Sequence, residues 1–223
     1  TNPAQKTLKP KYKVIALTGP QGSGKTTQLK LILEKIDAEF ASVGDILRSI
    51  LPHSEKPEHQ EAREMMYAGK LISDEITFEI LKGYFAEKQK SGATKEVLIF
   101  DGFPRSKQQT EHLYELSQIY HGVPSSIGAE ISSLPPIAIV RMQLEHAHAQ
   151  KRCLDRAEAQ IRAGKPARTD DTAEAIAQRL AIYFESIPHL DEAFKGKAHV
   201  HEFDGTKKIH EVHSDVLERL FDI

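Results

Sequence analysis

Cysteine occurs once in the 223 residues, as Cys153. A lone thiol excludes an internal disulfide framework and a zinc site built from several cysteines. It fits a reducing compartment, so a cytoplasmic protein without zinc is expected. Charge of one sign is equally scarce: 30 Lys and Arg stand against 32 Asp and Glu, for a formal charge of −2. With no global basic field, nucleic acid is not an expected partner, and any anion site must be a local cluster of Lys and Arg. Long apolar runs are missing, so no segment reaches membrane-spanning length, and there are no repeats or low-complexity tracts. The opening residues TNPAQKTLKPKYK lack the apolar centre of a signal peptide. Residues 1–11 are read as a flexible lead-in, and 12–223 as one α/β domain with insertions.

What is present is a short apolar run followed by a longer helical pattern, several times over. Buried strands are predicted at Lys13 to Thr18, Val97 to Phe100 and Ile137 to Val140, with weaker ones at Glu39 to Ser42 and His199 to Phe203. Apolar residues at helical spacing predict helices over Glu75 to Lys90, with Ser73 as N-cap, and over Thr172 to Ser186 and Lys207 to Phe221. The alternation implies a parallel sheet covered by helices on both faces. Pro52 to His59, Gly122 to Pro136 and the polar Ala157 to Ala167 resist assignment as core. The first and third interrupt the alternation where open α/β sheets bind ligands.

The stretch GPQGSGKTTQ, Gly19 to Gln28, follows the first strand and matches G-x-x-x-x-G-K-[ST] in full. Its glycines let successive N–H groups point into one concavity, to which the following helix adds its positive end. Lys25 is positioned to reach the β and γ phosphates, and Thr26 to offer its hydroxyl to Mg²⁺. The strand Val97 to Phe100 ends in Asp101, the arrangement of a carboxylate that holds Mg²⁺ or its water shell opposite Thr26. A guanine-reading N-K-x-D segment is lacking.

A hydrolase needs to place one water; a transferase must hold two anionic partners whose phosphates repel. Candidate cations for the second task are Arg48, Arg105, Arg152 and Arg156 at i, i+4, Arg168 and Arg179. Singly, each reads as an ordinary solvated arginine.

Together with its neighbours the set has more meaning. GPQGSGKTTQ, SVGDILR, AGKLISDE, DGFPRSKQQ, RCLDR, ARTDD, QRLAIY and DGTK, in this order, resemble adenylate kinases and their nucleoside monophosphate kinase relatives. The resemblance implies a P-loop NTPase-type five-stranded parallel sheet with helices on both faces. It also implies a monophosphate-binding helical insertion near 42–72 and a short-to-intermediate lid near 153–168. It implies transfer of the γ-phosphoryl of Mg-ATP to AMP by a monomer, with Mg²⁺ on Thr26 and Asp101. ATP would lie on Gly22, Ser23, Gly24, Lys25, Thr26, Thr27, Arg152, Arg156 and Lys207. AMP would lie on Val43, Gly44, Arg48, Leu71, Ile72, Gly102, Arg105, Gln109, Arg168 and Arg179. Lys25, Arg105, Arg152, Arg156, Arg168 and Arg179 would carry the catalysis.

The chain departs from the family pattern in places. Val43 replaces a small threonine or alanine, removing a hydroxyl and adding bulk beside the expected base. Ser73 replaces a frequent proline. The segment AEAQIRAGKPA between Arg156 and Arg168 is longer than the family's short lid and much shorter than its long, often zinc-binding one. Gln109 has a second reading, since Ser106-x-x-Gln109 is a capping box in which it folds back to the Ser106 N–H. His146 and His148 beside Glu145 point to different helix faces and are read as solvated; Tyr183 is read as core or lid support. UMP, CMP or another monophosphate as acceptor stays open, as does a nucleotide-binding regulatory module with weak turnover.

Overall fold

The computed structural model describes residues 8–67, 70, 72–123, 136–164 and 172–222. Their order is β1 (Lys9–Pro10), β2 (Val14–Thr18), α1 (Lys25–Leu33), β3 (Ala38–Ser42), α2 (Val43–Ile50), a 3-10 turn (Leu51–His53), α3 (Glu58–Tyr67) and α4 (Asp74–Lys90). There follow β4 (Val97–Asp101), α5 (Lys107–His121), β5 (Ile137–Gln143), α6 (His146–Arg162), α7 (Ala173–Phe194), β6 (His199–Asp204), α8 (Ile209–Leu220) and β7 (Phe221–Asp222).

Strands β2, β4 and β5 are apolar at consecutive positions because both of their faces are covered. Alternate residues go to opposite sides. Val14, Ala16, Leu98, Phe100, Ile137 and Ile139 pack with α2, α4, α5 and the end of α7, whereas Ile15, Leu17, Val97, Ile99, Ala138 and Val140 pack with α1 and α8. The five strands are parallel in the order β3-β4-β2-β5-β6. From β2 the chain crosses to β3 at one edge and later returns to β5 on the other side. The order therefore reverses beside β2, whose carboxyl end opens at a topological switch point. Register sets Leu17 against Asp101 and Thr18 against Arg141.

A smaller cluster of Leu144, Ala149, Cys153, Ile176 and Leu180 joins α6 to α7. At the chain ends Lys9 and Pro10, read from sequence as lead-in, pair antiparallel with Asp222 and Phe221. The Lys11 N–H adds a bond to the Leu220 carbonyl at 2.9 Å.

Helix α4 starts as the sequence indicates, with the Ser73 Oγ accepting the Ile76 N–H at 3.3 Å. Three elements differ from expectation. The polar stretch from Ala157 continues α6 as far as Arg162, because a helix that buries only one narrow face, here Ala149, Cys153 and Ala157, is polar elsewhere. The stretch Pro52 to His59 holds most of the 3-10 turn and the start of α3. Helix α7 passes through Pro188, a residue that reads as a stop; Leu190 and Phe194 beyond it are buried in the core cluster shared with α4, α5 and the strands, and their packing outweighs the lost N–H. The loop 124–135 lies outside the described residues. No helix among the described residues is long and apolar enough to cross a membrane.

Candidate active site

The phosphate loop joins β2 to α1 at the switch point. Gly19 has φ 142°, and a Cβ there would lie 2.7 Å from the Met142 carbonyl oxygen; Gly22 has φ 82°, and its Cβ would come within 3.2 Å of the Cys153 sulfur. Only glycine lets the loop press this closely on β5 and α6. Gly24 caps α1 in a left-handed conformation with no side-chain cap, so the positive end of the helix is left for an anion. The Lys25 ammonium folds back onto the loop, donating to Gly19 O at 2.7 Å and Pro20 O at 2.8 Å. Burial lowers its pKa to about 8; Asp101 opposes that shift, and the charges of Arg105 and Arg156 deepen it. Thr26 and Thr27 are exposed on the first turn of α1. Asp101 ends β4, next to β2; burial raises its pKa, while Lys25 and Arg105 pull it down and Asp45 adds to the rise.

On the β3 and β4 side, Arg48 pairs with Asp45 at 2.6 Å and lies over the Gly44 backbone. Gly102, at φ 72°, carries the Arg105 guanidinium: Nε donates to the Gly102 carbonyl at 2.7 Å, and a Cβ there would stand 2.8 Å from Nη2. Gln109 is buried, 8% exposed. Its Oε1 accepts the Arg105 N–H at 2.8 Å and its Nε2 donates to Asp74 Oδ1 at 2.5 Å. The Ser106 Oγ does cap α5, accepting the Gln109 N–H at 3.0 Å. The reciprocal half of the capping box does not form, because the Gln109 side chain takes the Arg105 N–H and not that of Ser106. Val43 is only 7% exposed and belongs to the core cluster with Ile46, Leu47 and Phe103, so its bulk goes largely into the interior. Ile72 packs partly buried against the same cluster. Leu71 and Arg168 lie outside the described residues.

On the β5 and β6 side, the Arg152 Nη1 donates to the Gly205 carbonyl at 2.8 Å and approaches the Gly22 carbonyl at 3.5 Å. A cavity of about 300 Å³ opens here, lined by Gly22, Gly24, Gln28, Arg152, Lys207 and Ile209 among others. Lys207 pairs with Asp215 at 3.0 Å. The buried Gln28 donates to the Ile209 carbonyl at 3.0 Å and so braces the cavity wall. Arg156 on α6 and Arg179 on α7 are half-buried. Burial raises the pKa of Tyr183 to about 12. His146 and His148 are exposed.

Asp74, Gly205 and Gln28 were missed as site residues. Gly205 stands in the quoted DGTK segment and Gln28 closes the loop motif, so both had a local signal. Asp74 had none beyond its place at the start of α4.

A loop of N–H donors at the carboxyl end of β2, with a carboxylate ending the adjacent strand, defines a nucleotide-binding enzyme of the P-loop class. The adenylate kinase family model matches residues 17–199. An adenylate kinase of Methylorubrum extorquens is 31% identical over 92% of this chain and 94% of its own length. One of Clostridium tetani is 32% identical over 91% and 95%, and one of Deinococcus radiodurans 28% over 93% and 96%. The chain belongs to the adenylate kinase family, whose enzymes carry out ATP:AMP phosphotransfer.

Proposed function

We propose that the γ-phosphoryl of Mg-ATP passes to AMP above the phosphate loop, with the arginines divided between the two substrates. The observation that carries this reading is the loop at the switch point, where Gly24 leaves the positive end of α1 without a side-chain cap, Lys25 folds onto the Gly19 and Pro20 carbonyls, and Asp101 ends the adjacent strand. Donor phosphates take the N–H groups of Gly22, Ser23 and Gly24 with Thr26 and Thr27, and draw Lys25 away from the Gly19 and Pro20 carbonyls. Arg152, Lys207 and the cavity beside Gly205 take the donor base. The acceptor phosphate takes Arg48 and Arg105, its base lies by Gln109 and the backbone of Val43, Gly44, Leu71, Ile72 and Gly102, and Arg156, Arg168 and Arg179 close over the transferred group.

The monophosphate oxygen is already nucleophilic, so no strong base is needed and preorganised charge carries the catalysis. The Thr26 hydroxyl and the Asp101 carboxylate are hard oxygen donors and fit Mg²⁺, which keeps most of its waters and leans on phosphates. When bound, the ion would neutralise charge on the β and γ oxygens. Closure of the lid excludes water, which would otherwise turn transfer into hydrolysis. The partners on this reading are ATP and AMP, the enzyme is a monomer, and a single cysteine, with no internal disulfide to keep oxidised, fits a cytoplasmic setting.

The test is ADP production from ATP with AMP, UMP, CMP and GMP in turn, beside phosphate release with no acceptor. AMP is expected to be the best acceptor and phosphate release slow. A pyrimidine preference moves the reading to a UMP/CMP kinase, rapid phosphate release to a hydrolase, and no turnover to a regulatory module.

A further inference from the structure

Gln109 and Asp74 meet across the interface of α4 and α5, and their contact has a consequence for base selection. The carboxylate of Asp74 receives two donors, the Gln109 Nε2 on Oδ1 and the Ser106 Oγ on Oδ2, each at 2.5 Å. The other end of the Gln109 amide faces the Arg105 N–H at 2.8 Å. A carboxylate can only accept and a backbone N–H can only donate. Turning the amide by 180° would set oxygen against oxygen and N–H against N–H. Only one orientation satisfies both neighbours.

We propose that Asp74 is a specificity-positioning residue, which locks the Gln109 amide so that its remaining lone pair and remaining N–H are presented in one fixed order. An amide has two lone pairs and two N–H hydrogens. One of each is used by Arg105 and Asp74, so one of each is left for a base edge. Adenine offers an N1 acceptor beside an N6 donor, and the locked amide answers both. Hypoxanthine has the same shape with the pattern reversed, an N1–H donor beside an O6 acceptor. A freely turning glutamine would serve the two bases about equally, whereas a locked one leaves hypoxanthine with unmade bonds. Asp74 touches no substrate in this account and acts through Gln109. The Ser106 hydroxyl fixes the carboxylate in turn, and Gln108, which donates to Glu75 at 3.0 Å, ties the same two helix ends together.

The inference rests on the reading of Gln109 as the acceptor-base residue, and the experiment separates the two. The kcat/KM ratio of AMP to IMP is measured for wild type, Asp74→Asn, Gln109→Leu and the double variant, with Tm and the KM for ATP followed alongside. Asparagine can present N–H as well as oxygen to Gln109, so it removes one of the two groups that hold the amide while keeping size, the Arg105 N–H remaining as the other. Asp74→Asn is expected to lower the ratio about tenfold, the effect of a charged hydrogen bond, with the KM for ATP unmoved. In the Gln109→Leu background it is expected to lower it no further. An unchanged ratio in Asp74→Asn, with Gln109→Leu eroding it, overturns the positioning role and leaves the reading of Gln109 intact. An equal loss from Asp74→Asn in the Gln109→Leu background also overturns it, since Asp74 then acts independently of Gln109. A ratio that Gln109→Leu leaves unaltered removes both. Should Asp74→Asn lower Tm steeply, Asp74→Glu, which keeps an acceptor-only group, is expected to hold the wild-type ratio; loss of the ratio there counts against the lock.

Discussion

Arg152 on α6 donates to the carbonyl of Gly205, in the turn between β6 and α8, at 2.8 Å. The bond ties α6 to a turn that is itself held tightly. A Cβ at Gly205 would lie 2.7 Å from the Gln143 carbonyl oxygen and 3.1 Å from that of Ser23. Both neighbours are backbone, so neither yields easily. Gly205→Ala is expected to push the turn off β5 and the phosphate loop, costing about 1–3 kcal/mol by overpacking and raising the KM for ATP more than that for AMP. Thermal melts and two-substrate kinetics check this. A KM for AMP that rises as far would mean that the turn serves both sites.

The half-buried ammonium of Lys25 gives a dependence on pH. Its pKa in the folded chain, about 8, lies below the ordinary 10.5. Between these values the unfolded chain holds more protons, so Lys25 makes ligand-free stability rise with pH through that window. Phosphate oxygens favour the charged form and restore the proton. Binding of ATP at pH 8.5 is therefore expected to take up part of a proton, seen as a difference in binding heat between buffers of unlike ionisation enthalpy. Lys25→Met should abolish that difference and cut turnover by about 10²- to 10³-fold, as the loss of one preorganised charge does. Equal heats in wild type would remove the assigned shift.

Arg105 and Arg48 test the division between substrates. Arg105 bonds to the Gly102 carbonyl and Arg48 to Asp45, both on the β3 and β4 side of the loop. Arg105→Ala is expected to raise the KM for AMP, lower kcat, or both, while ATP binding measured alone stays near wild type. Loss of ATP affinity to the same degree would sink the two-site division.

How far the sequence foretold this molecule follows from where the information lies. The strands β2, β4 and β5 were legible because two-sided burial demands consecutive apolar residues. The phosphate loop was legible because all its chemistry is local. The end of α6 was not, since Ala157 is buried among charged neighbours and so carries too little apolar signal. Pro188 hid the length of α7 because the packing that overrides it comes from residues distant in the chain, the core cluster of α4, α5 and the strands. The contact of Gln109 with Asp74 spans 35 positions, so spacing within α5 suggested a capping box and gave no sign of the true partner.

Arg141 is buried in β5, its side chain 7% exposed, and pairs with Asp191 of α7 and, at 3.0 Å, with Glu202 of β6. Both carboxylates are about half exposed, which weakens each pair. Arg141→Met keeps much of the volume but leaves the carboxylates without their shared cation. A loss of about 1–2 kcal/mol is expected, toward the low end for hydrogen bonds to charged groups. A double-mutant cycle with Asp191→Asn should show positive coupling; additive losses would mean that the pair adds nothing to the apolar packing that holds α7.

Val43 is the position where the family pattern and the structure give opposite expectations. The resemblance suggests that a threonine here restores a hydroxyl beside the acceptor base. The structure puts the valine in the core with Ile46, Leu47 and Phe103, at 7% exposure. A hydroxyl in that cluster exchanges apolar contact for a polar group that needs a partner, at a cost of about 1–3 kcal/mol when none is found. Val43→Thr is therefore expected to lower Tm while the order of AMP over UMP, CMP and GMP in kcat/KM stays as in wild type. Gln109→Leu is expected to do the reverse, eroding the AMP preference by about 1–3 kcal/mol of transition-state free energy through the unmade bonds to the base. The two variants measured side by side separate packing from recognition. If Val43→Thr shifts the acceptor preference with Tm unchanged, the side chain faces the base and not the core.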